Sequence, residues 1–266
     1  MTRQALRTER ADILGVNVSA IDMQECVDTI DGWIGSRSQH YVCITGVHGV
    51  IESQSDASLR AIHNAAGMVT PDGMPLVWMA RWLGHPRTRR VYGPDLMRTL
   101  SRLSPSRGYR HFYYGGGNGV AERLKQALTQ ASPGLDVVGT IEPPFRPLTP
   151  AEDTAVVDAI NAARPDIVWV GLSTPKQERW MASHIGRLEA PVLIGVGAAF
   201  DFLAGEKKQA PGWMQRNGLE WLFRLVTEPR RLWRRYLSIV PKFIVLAGAQ
   251  LVRSRLRKSQ PILQRS

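Results

Sequence analysis

The sequence predicts an α/β fold: a mainly parallel, Rossmann-like sheet with helices on both faces. Apolar runs of strand length alternate with amphipathic, helix-length segments through the first two hundred residues. The strand runs are continuously apolar, the pattern of strands buried on both sides. Helix-start signals fall between them, with Thr149-Pro150 and Thr174-Pro175 each setting a hydroxyl before a proline suited to the first helical position.

Taken in order, Ile13–Val18 reads as the first strand, Met23–Ser36 as an amphipathic helix and His40–Thr45 as a buried strand. Three helices follow, over Ser55–Ala66, Met74–Leu83 and Pro94–Leu103. Arg110–Tyr114 is the next strand, then a helix over Val120–Ala131 and a strand over Leu135–Thr140. The turn-rich Glu142-Pro-Pro-Phe-Arg-Pro147 is a surface loop. Pro150–Ala163 is a helix, Asp166–Leu172 a strand, Pro175–Leu188 a helix and Val192–Val196 the last strand. After about Gly205 the strands stop and tryptophan interleaves with arginine. This divides the chain into an α/β domain over residues 1–205 and a basic, Trp/Arg-rich helical appendage over 206–266.

Composition supports a folded chain, with 44% hydrophobic residues in 266 and 21% charged. The two cysteines, Cys26 and Cys43, are too few for a disulfide scaffold or a four-cysteine zinc site and read as reduced, buried thiols. Of the net charge of +11, residues 224–266 carry +10, with eleven Lys or Arg against the single acid Glu228. Such a segment calls for a polyanionic partner. The N-terminal residues through Asp12 lack the apolar core of a secretory signal. The longest apolar run, Leu237–Val252, is interrupted by Pro241, Lys242 and Gln250 and falls short of the roughly 20 residues that span a bilayer. The expectation is a protein that lies on a membrane without crossing it. Leu232, Tyr236, Ile239 and Phe243 form the stripe that would dock there, flanked by Arg230, Arg231, Arg234 and Arg235, with Pro241 bending or ending the helix.

In an open parallel sheet, ligands bind beyond the carboxyl ends of the strands, so the loops there carry the candidates. Tyr114-Gly-Gly-Gly-Asn-Gly-Val120 follows a strand and opens a helix, where Gly115, Gly116 and Gly117 let backbone N–H groups approach a phosphate. It is not a full dinucleotide fingerprint, because Val120 stands at the third glycine position. In Thr70-Pro-Asp-Gly-Met74, Asp72 is either the cap of the following helix or a loop-borne general base. A capping box from Thr174 to Gln177 explains part of Ser173-Thr-Pro-Lys-Gln-Glu178 and leaves Lys176 and Glu178 over. Gly195-Val-Gly-Ala-Ala-Phe-Asp201 puts small residues and an aspartate after a strand. The chain has no Asp-x-Asp pair, no HExxH, no G-x-S-x-G and no Walker A sequence, so no metal site and no cofactor is expected.

With Arg90-Val-Tyr-Gly-Pro-Asp-Leu96, Ala210-Pro-Gly-Trp213, Gly218-Leu-Glu-Trp-Leu-Phe-Arg224 and Glu228-Pro-Arg230, these loops resemble the WecG/TagA/CpsF family of bacterial glycosyltransferases from about Ile13 to Phe243. The resemblance implies metal-independent, inverting transfer of a sugar from a nucleotide (UDP-) donor to an undecaprenyl-diphosphate-linked glycan in cell-surface or exopolysaccharide synthesis. It implies a peripheral enzyme on the cytoplasmic face of the membrane. Asp72 matches the family's catalytic base, Thr45 the threonine of its Thr-x-Asn element, Arg90 a phosphate contact and Gln177 a polar contact. Val47 stands where that element has asparagine, so His48 is the candidate substitute, and donor preference is where a difference is expected. Glu178, Gly197, Asp201, Arg224 and Arg230 complete the donor and substrate contacts, the appendage arginines closing the site over the diphosphate.

Two other readings rank behind this one. A nucleotide-cofactor oxidoreductase would use the glycine loop with Asp136 about 20 residues on, and a nucleic-acid-binding protein would use the Arg/Trp tail. Donor sugar, acceptor glycan, linkage and self-association into a homo-oligomer are left open.

Overall fold

The computed structural model describes residues 9–259. Residues 1–8, residues 260–266 and the side chains of Arg231, Arg257, Lys258 and Ser259, several of them in the basic C-terminal segment, lie outside the described residues.

The chain opens with an antiparallel hairpin, β1 (Arg10–Ile13) and β2 (Val16–Ser19). The expected single strand over Ile13–Val18 is therefore broken. Leu14 and Gly15 both take positive φ (53° and 82°), as a two-residue hairpin turn requires. Leu14 is not a residue that signals such a turn. Its N–H is held by Gln250 Oε1 at 3.1 Å, and the Gly15 N–H by Asp12 Oδ1 at 2.6 Å.

The elements that follow are α1 (Met23–Ser36), β3 (His40–Thr45), α2 (Val47–Ser55), α3 (Ala57–Ala65), β4 (Met68–Pro71), α4 (Met74–Trp82) and α5 (Gly93–Arg107). Then come β5 (Arg110–Gly115), α6 (Val120–Ala131), β6 (Asp136–Ile141), α7 (Pro150–Ala163), β7 (Ile167–Gly171), α8 (Lys176–His184) and β8 (Val192–Gly195). Caps explain the sharpest boundaries. Asp22 with Glu25, and Thr149 with Glu152, form reciprocal capping boxes at the starts of α1 and α7.

Strands β3 to β8 form one parallel sheet in the order β4-β3-β8-β7-β5-β6. Successive side chains of a strand point to opposite faces, and both faces are buried. Val42, Ile44, Ile167, Trp169, Val192 and Ile194 join one core with α1, α5, α6 and α9 (Ala199–Leu203). Tyr41, Cys43, Val168, Val170 and Leu193 join another with residues of α2, α4, α7 and α8. Both cysteines are free and buried.

Three features depart from the sequence expectation. β4 matches no expected strand; it is four residues long, ends in Pro71 and lies at the sheet edge, where a missing N–H is tolerated. α2 was not expected, and Asp56 caps α3 separately by accepting the Leu59 N–H at 2.9 Å. Thr174-Pro175 is not a cap followed by a first helical proline. The peptide is cis, α8 starts at Lys176, and the Thr174 hydroxyl donates to Glu178 Oε1 at 2.8 Å. No Thr174–Gln177 capping box forms; the Gln177 N–H goes to the Ser173 carbonyl.

Beyond β8 lie α10 (Gly212–Arg216), α11 (Glu220–Thr227) and α12 (Pro229–Ser259), 31 residues long. Pro241 does not end α12. The ring removes one N–H bond and crowds the carbonyl of Leu237, a residue 67% exposed. The stripe expected to meet a membrane packs inward instead. Leu232, Phe243 and Ala247 are buried, Ile239 packs against the second core, and Gln250 bonds the hairpin turn. A second apolar face, with Trp233, Leu237, Ile244, Val245, Val252 and Leu256, is exposed. By length and composition Leu232–Leu256 is long and apolar enough to cross a membrane, more than the interrupted sixteen-residue run suggested.

Candidate active site

Parallel strands deliver all their following loops to one edge of the sheet, and two neighbouring constellations form there. The first is built on the ends of β3 and β4. The register sets Thr45 beside Pro71, and the Thr45 carbonyl accepts the Asp72 N–H at 3.0 Å. Asp72 is not a helix cap: Gly73 takes that position in α4, with no side-chain bond to the first turn. The capping alternative for Asp72 therefore fails.

The Asp72 carboxyl has one oxygen, Oδ1, sealed from solvent without a hydrogen-bond partner, while 33% of the side chain stays open. The nearest cation is Arg90, with Nη2 3.9 Å from Oδ1. Arg90 is itself fixed elsewhere. Its Nε donates to the Asp72 carbonyl, Nη1 to Gln215 Oε1 at 3.1 Å and Nη2 to Glu220 Oε2 at 2.5 Å, with the guanidinium over the Tyr92 ring at 4.0 Å. The Tyr92 hydroxyl donates to Glu220 Oε1 at 3.3 Å. Burial pushes the Asp72 carboxyl up to about 6; Arg90 opposes this, Glu220 adds to it, and Arg224 and a hydrogen bond from the Gly93 N–H oppose it. A carboxyl at that value is ionised at neutral pH yet far more basic than an ordinary aspartate.

The second constellation is a cleft of about 1070 Å³ over the ends of β5, β7 and β8. Gly116, Gly117, Asn118, Gly171, Ser173, Gly197 and Asp201 line it, with Tyr114, Trp180 and Phe200 as its aromatic wall and Phe145 from the proline-rich loop at its rim. Trp180 stacks on Tyr114 at 4.3 Å and on His184 at 4.1 Å. The charges are mixed: Lys207 pairs with Asp201 at 2.5 Å, Arg123 with Glu206 at 2.7 Å and Arg146 with Glu152 at 2.6 Å. Lys176 has no acidic partner among the described residues. The helix N-terminus read as a phosphate cradle already holds an anion of the chain. Glu142 accepts the N–H groups of Gly119 at 2.9 Å and Ala121 at 2.7 Å.

Between the two, the start of α5 packs Gly93 near Val196, just after β8. Behind lie Gln177 and Glu178, 2% and 0% exposed, with Gln177 Oε1 and Glu178 Oε2 both unpartnered. Burial holds the Glu178 carboxyl above the usual range. Gln177 sits against Gly195 and Gly197, so the backbone after β8 leaves room for its amide.

The remaining expected residues are dispersed. His48 does not line the cleft; on α2 its Nδ1 accepts from Arg235 and its Nε2 meets Glu52 at 2.8 Å. Burial, then Arg235, lowers its pKa to about 4, leaving a neutral ring that links α2 to α12. Arg224 bears electrostatically on Asp72 and lies 5.9 Å over the Phe202 ring, whereas Arg230 is exposed on α12. Among the described residues no group of three or more His, Cys, Asp or Glu could hold a metal ion. Glu220, Gln215, Glu142 and Lys207 had no role in the sequence reading. Only Glu220 carried a signal there, as the acid within Gly218-Leu-Glu-Trp-Leu-Phe-Arg224.

The family model described as "Glycosyl transferase WecG/TagA/CpsF family" matches residues 11–259. A Bacillus spizizenii protein named N-acetylglucosaminyldiphosphoundecaprenol N-acetyl-beta-D-mannosaminyltransferase is 31% identical over 193 residues, covering 73% of this chain and 72% of its own. A Staphylococcus aureus (strain NCTC 8325 / PS 47) protein of the same name is 29% identical over 243 residues, 89% of this chain and 91% of its own.

Proposed function

The chain belongs to the WecG/TagA/CpsF family of glycosyltransferases, and from that premise we propose that it transfers an N-acetylhexosaminyl residue from a UDP-sugar to a polyprenyl-diphosphate-linked glycan, with inversion. The observation that carries the mechanism is Asp72. It stands at a strand end with an unpartnered carboxylate oxygen, raised basicity and an open side. In this reading Asp72 takes the proton of the acceptor hydroxyl as that oxygen attacks the anomeric carbon from the face opposite the leaving diphosphate. The donor lies in the neighbouring cleft. Its diphosphate faces Gly117, Lys176 and Lys207, because Glu142 already occupies the first turn of α6. Arg90 stands beside the base and Thr45 and Gln177 are buried behind the strand ends, while the cysteines and His111 belong to the core.

The pH–rate profile tests the base. A carboxyl must be ionised to accept a proton, so kcat/KM is expected to be flat at neutral pH and to fall about tenfold per unit below pH about 6. A profile flat down to pH 4.5, roughly the ordinary carboxylate range, would remove Asp72 from this role.

We also propose that the enzyme is peripheral, on the cytoplasmic face of the membrane, with the exposed face of α12 bedded in an anionic surface. Leu237 and Ile244 supply apolar contact while Arg230 and Arg234 meet lipid phosphates. Lys242 lies midway along α12, where a charge at a bilayer centre costs about 3 kcal/mol, and one face of the helix packs on the protein. Both features favour lying on the membrane over crossing it. Binding to anionic vesicles is expected to drop at least tenfold in a Leu237→Asn, Ile244→Asn double variant, and alkaline carbonate should strip the protein from membranes. Undiminished binding by the variant, or retention after carbonate, would contradict this.

A further inference from the structure

Glu220 is the acid closest to Arg90, and it arrives from α11, a part of the chain remote in sequence from Asp72. Arg90 Nη2 lies 2.5 Å from Glu220 Oε2 and 3.9 Å from Asp72 Oδ1. Gln215 and the Asp72 carbonyl hold the other guanidinium nitrogens, the Tyr92 ring stacks beneath, and the Tyr92 hydroxyl fixes Glu220 in turn. Every contact but the long one therefore leads away from the Asp72 carboxyl, and this is why Oδ1 is orphaned. Released from Glu220, the guanidinium needs to move only about 1 Å to form a direct charge-assisted pair with Asp72 Oδ1, which would stabilise the carboxylate and lower its affinity for a proton.

We propose that Glu220 is a positioning residue for transfer: it holds the Arg90 guanidinium off the Asp72 carboxyl, keeping that carboxyl free to take the acceptor's proton. The proposal rests on the reading of Asp72 as the base. It gives α11 a part in the chemistry, since the segment that carries Glu220 must be docked for Asp72 to keep its basicity. The groups facing Asp72 are Arg90 and Tyr92 from the segment before α5 and Glu220 and Arg224 from α11. Glu220 is the one among them whose loss both removes a negative charge and liberates a positive one.

The sign follows. In Glu220→Gln, Asp72 faces two arginines and no neighbouring carboxylate, so its pKa falls and the acidic limb of kcat/KM moves to lower pH, by roughly one unit. The plateau falls several-fold as the weaker base follows its Brønsted slope, and the loss appears in kcat more than in acceptor KM. Glu220→Asp keeps the charge and should return the limb toward the wild-type position. ¹³C carboxyl titration of Asp72 in the substrate-free protein reads the same shift even in an inactive variant. A limb and a carboxyl titration in Glu220→Gln that coincide with wild type, or that move upward, would overturn the proposal while Asp72→Asn stays inactive. An active Asp72→Asn would instead overturn the base assignment and this inference with it.

Discussion

Replacing Asp72 by asparagine is expected to lower turnover by roughly 10²–10⁴-fold, the usual contribution of a positioned general base. The amide keeps the shape of the carboxyl and removes its proton affinity. Folding should be largely retained, because the side chain does not cap α4, Oδ1 makes no hydrogen bond and an amide oxygen can still accept from the Gly93 N–H at the start of α5. The variant also loses a buried negative charge that burial alone disfavours. A melting temperature at or slightly above wild type, unchanged binding of the nucleotide diphosphate and a collapsed kcat together form the expected result. Turnover within a few-fold of wild type would exclude Asp72 as the base.

Gly115→Ala is expected to act in the opposite way, through the fold. A Cβ at Gly115 would lie 2.6 Å from the carbonyl carbon and oxygen of Gly171 on the adjacent strand, and φ there is +131°. Backbone meets backbone, so no side chain can yield, and the ends of β5 and β7 must part. A loss of about 3–5 kcal/mol is expected, lowering the melting temperature by roughly 10 °C. Gly117→Ala is the control. Its Cβ would meet only Phe145, an 85% exposed side chain that can swing aside. Gly115 thus joins strands, whereas Gly117 faces the cleft. Equal melting temperatures for the two variants would contradict the assignment.

Much of the fold was legible because its signals are local. Met23–Ser36, Val120–Ala131 and Pro150–Ala163 occur with the bounds expected, two of them fixed by reciprocal capping boxes. The parallel sheet followed from continuous apolar strands. What escaped depends on distant partners. β4 is short and ends in proline, and only its pairing with β3 makes it a strand. The Leu14-Gly15 turn is held by Gln250, more than two hundred residues on. The inward stripe of α12 and its exposed face are both apolar, so periodicity could not say which one meets the protein. The site divides in the same way. The glycine loop stood out as the turn between a strand and a helix, and Asp72, Arg90 and Gln177 took their roles from the family resemblance, whereas the clamp of Glu220 and Gln215 on Arg90 exists only once α10 and α11 bring those side chains to it. His48 illustrates the converse: it is the candidate substitute for the asparagine that Val47 replaces, but a helix begins at Val47 and turns its ring toward Arg235.

Mass spectrometry of the lipid-linked acceptor tests metal-independent sugar transfer most directly. Purified protein would be incubated in EDTA with a panel of UDP-N-acetylhexosamines and a polyprenyl-diphosphate-linked N-acetylglucosamine. The expected result is an acceptor heavier by one N-acetylhexosaminyl residue, with UDP released in equal amount and no product from Asp72→Asn. An unchanged acceptor alongside steady hydrolysis of the donor, or product that appears only when magnesium or manganese is restored, would contradict it.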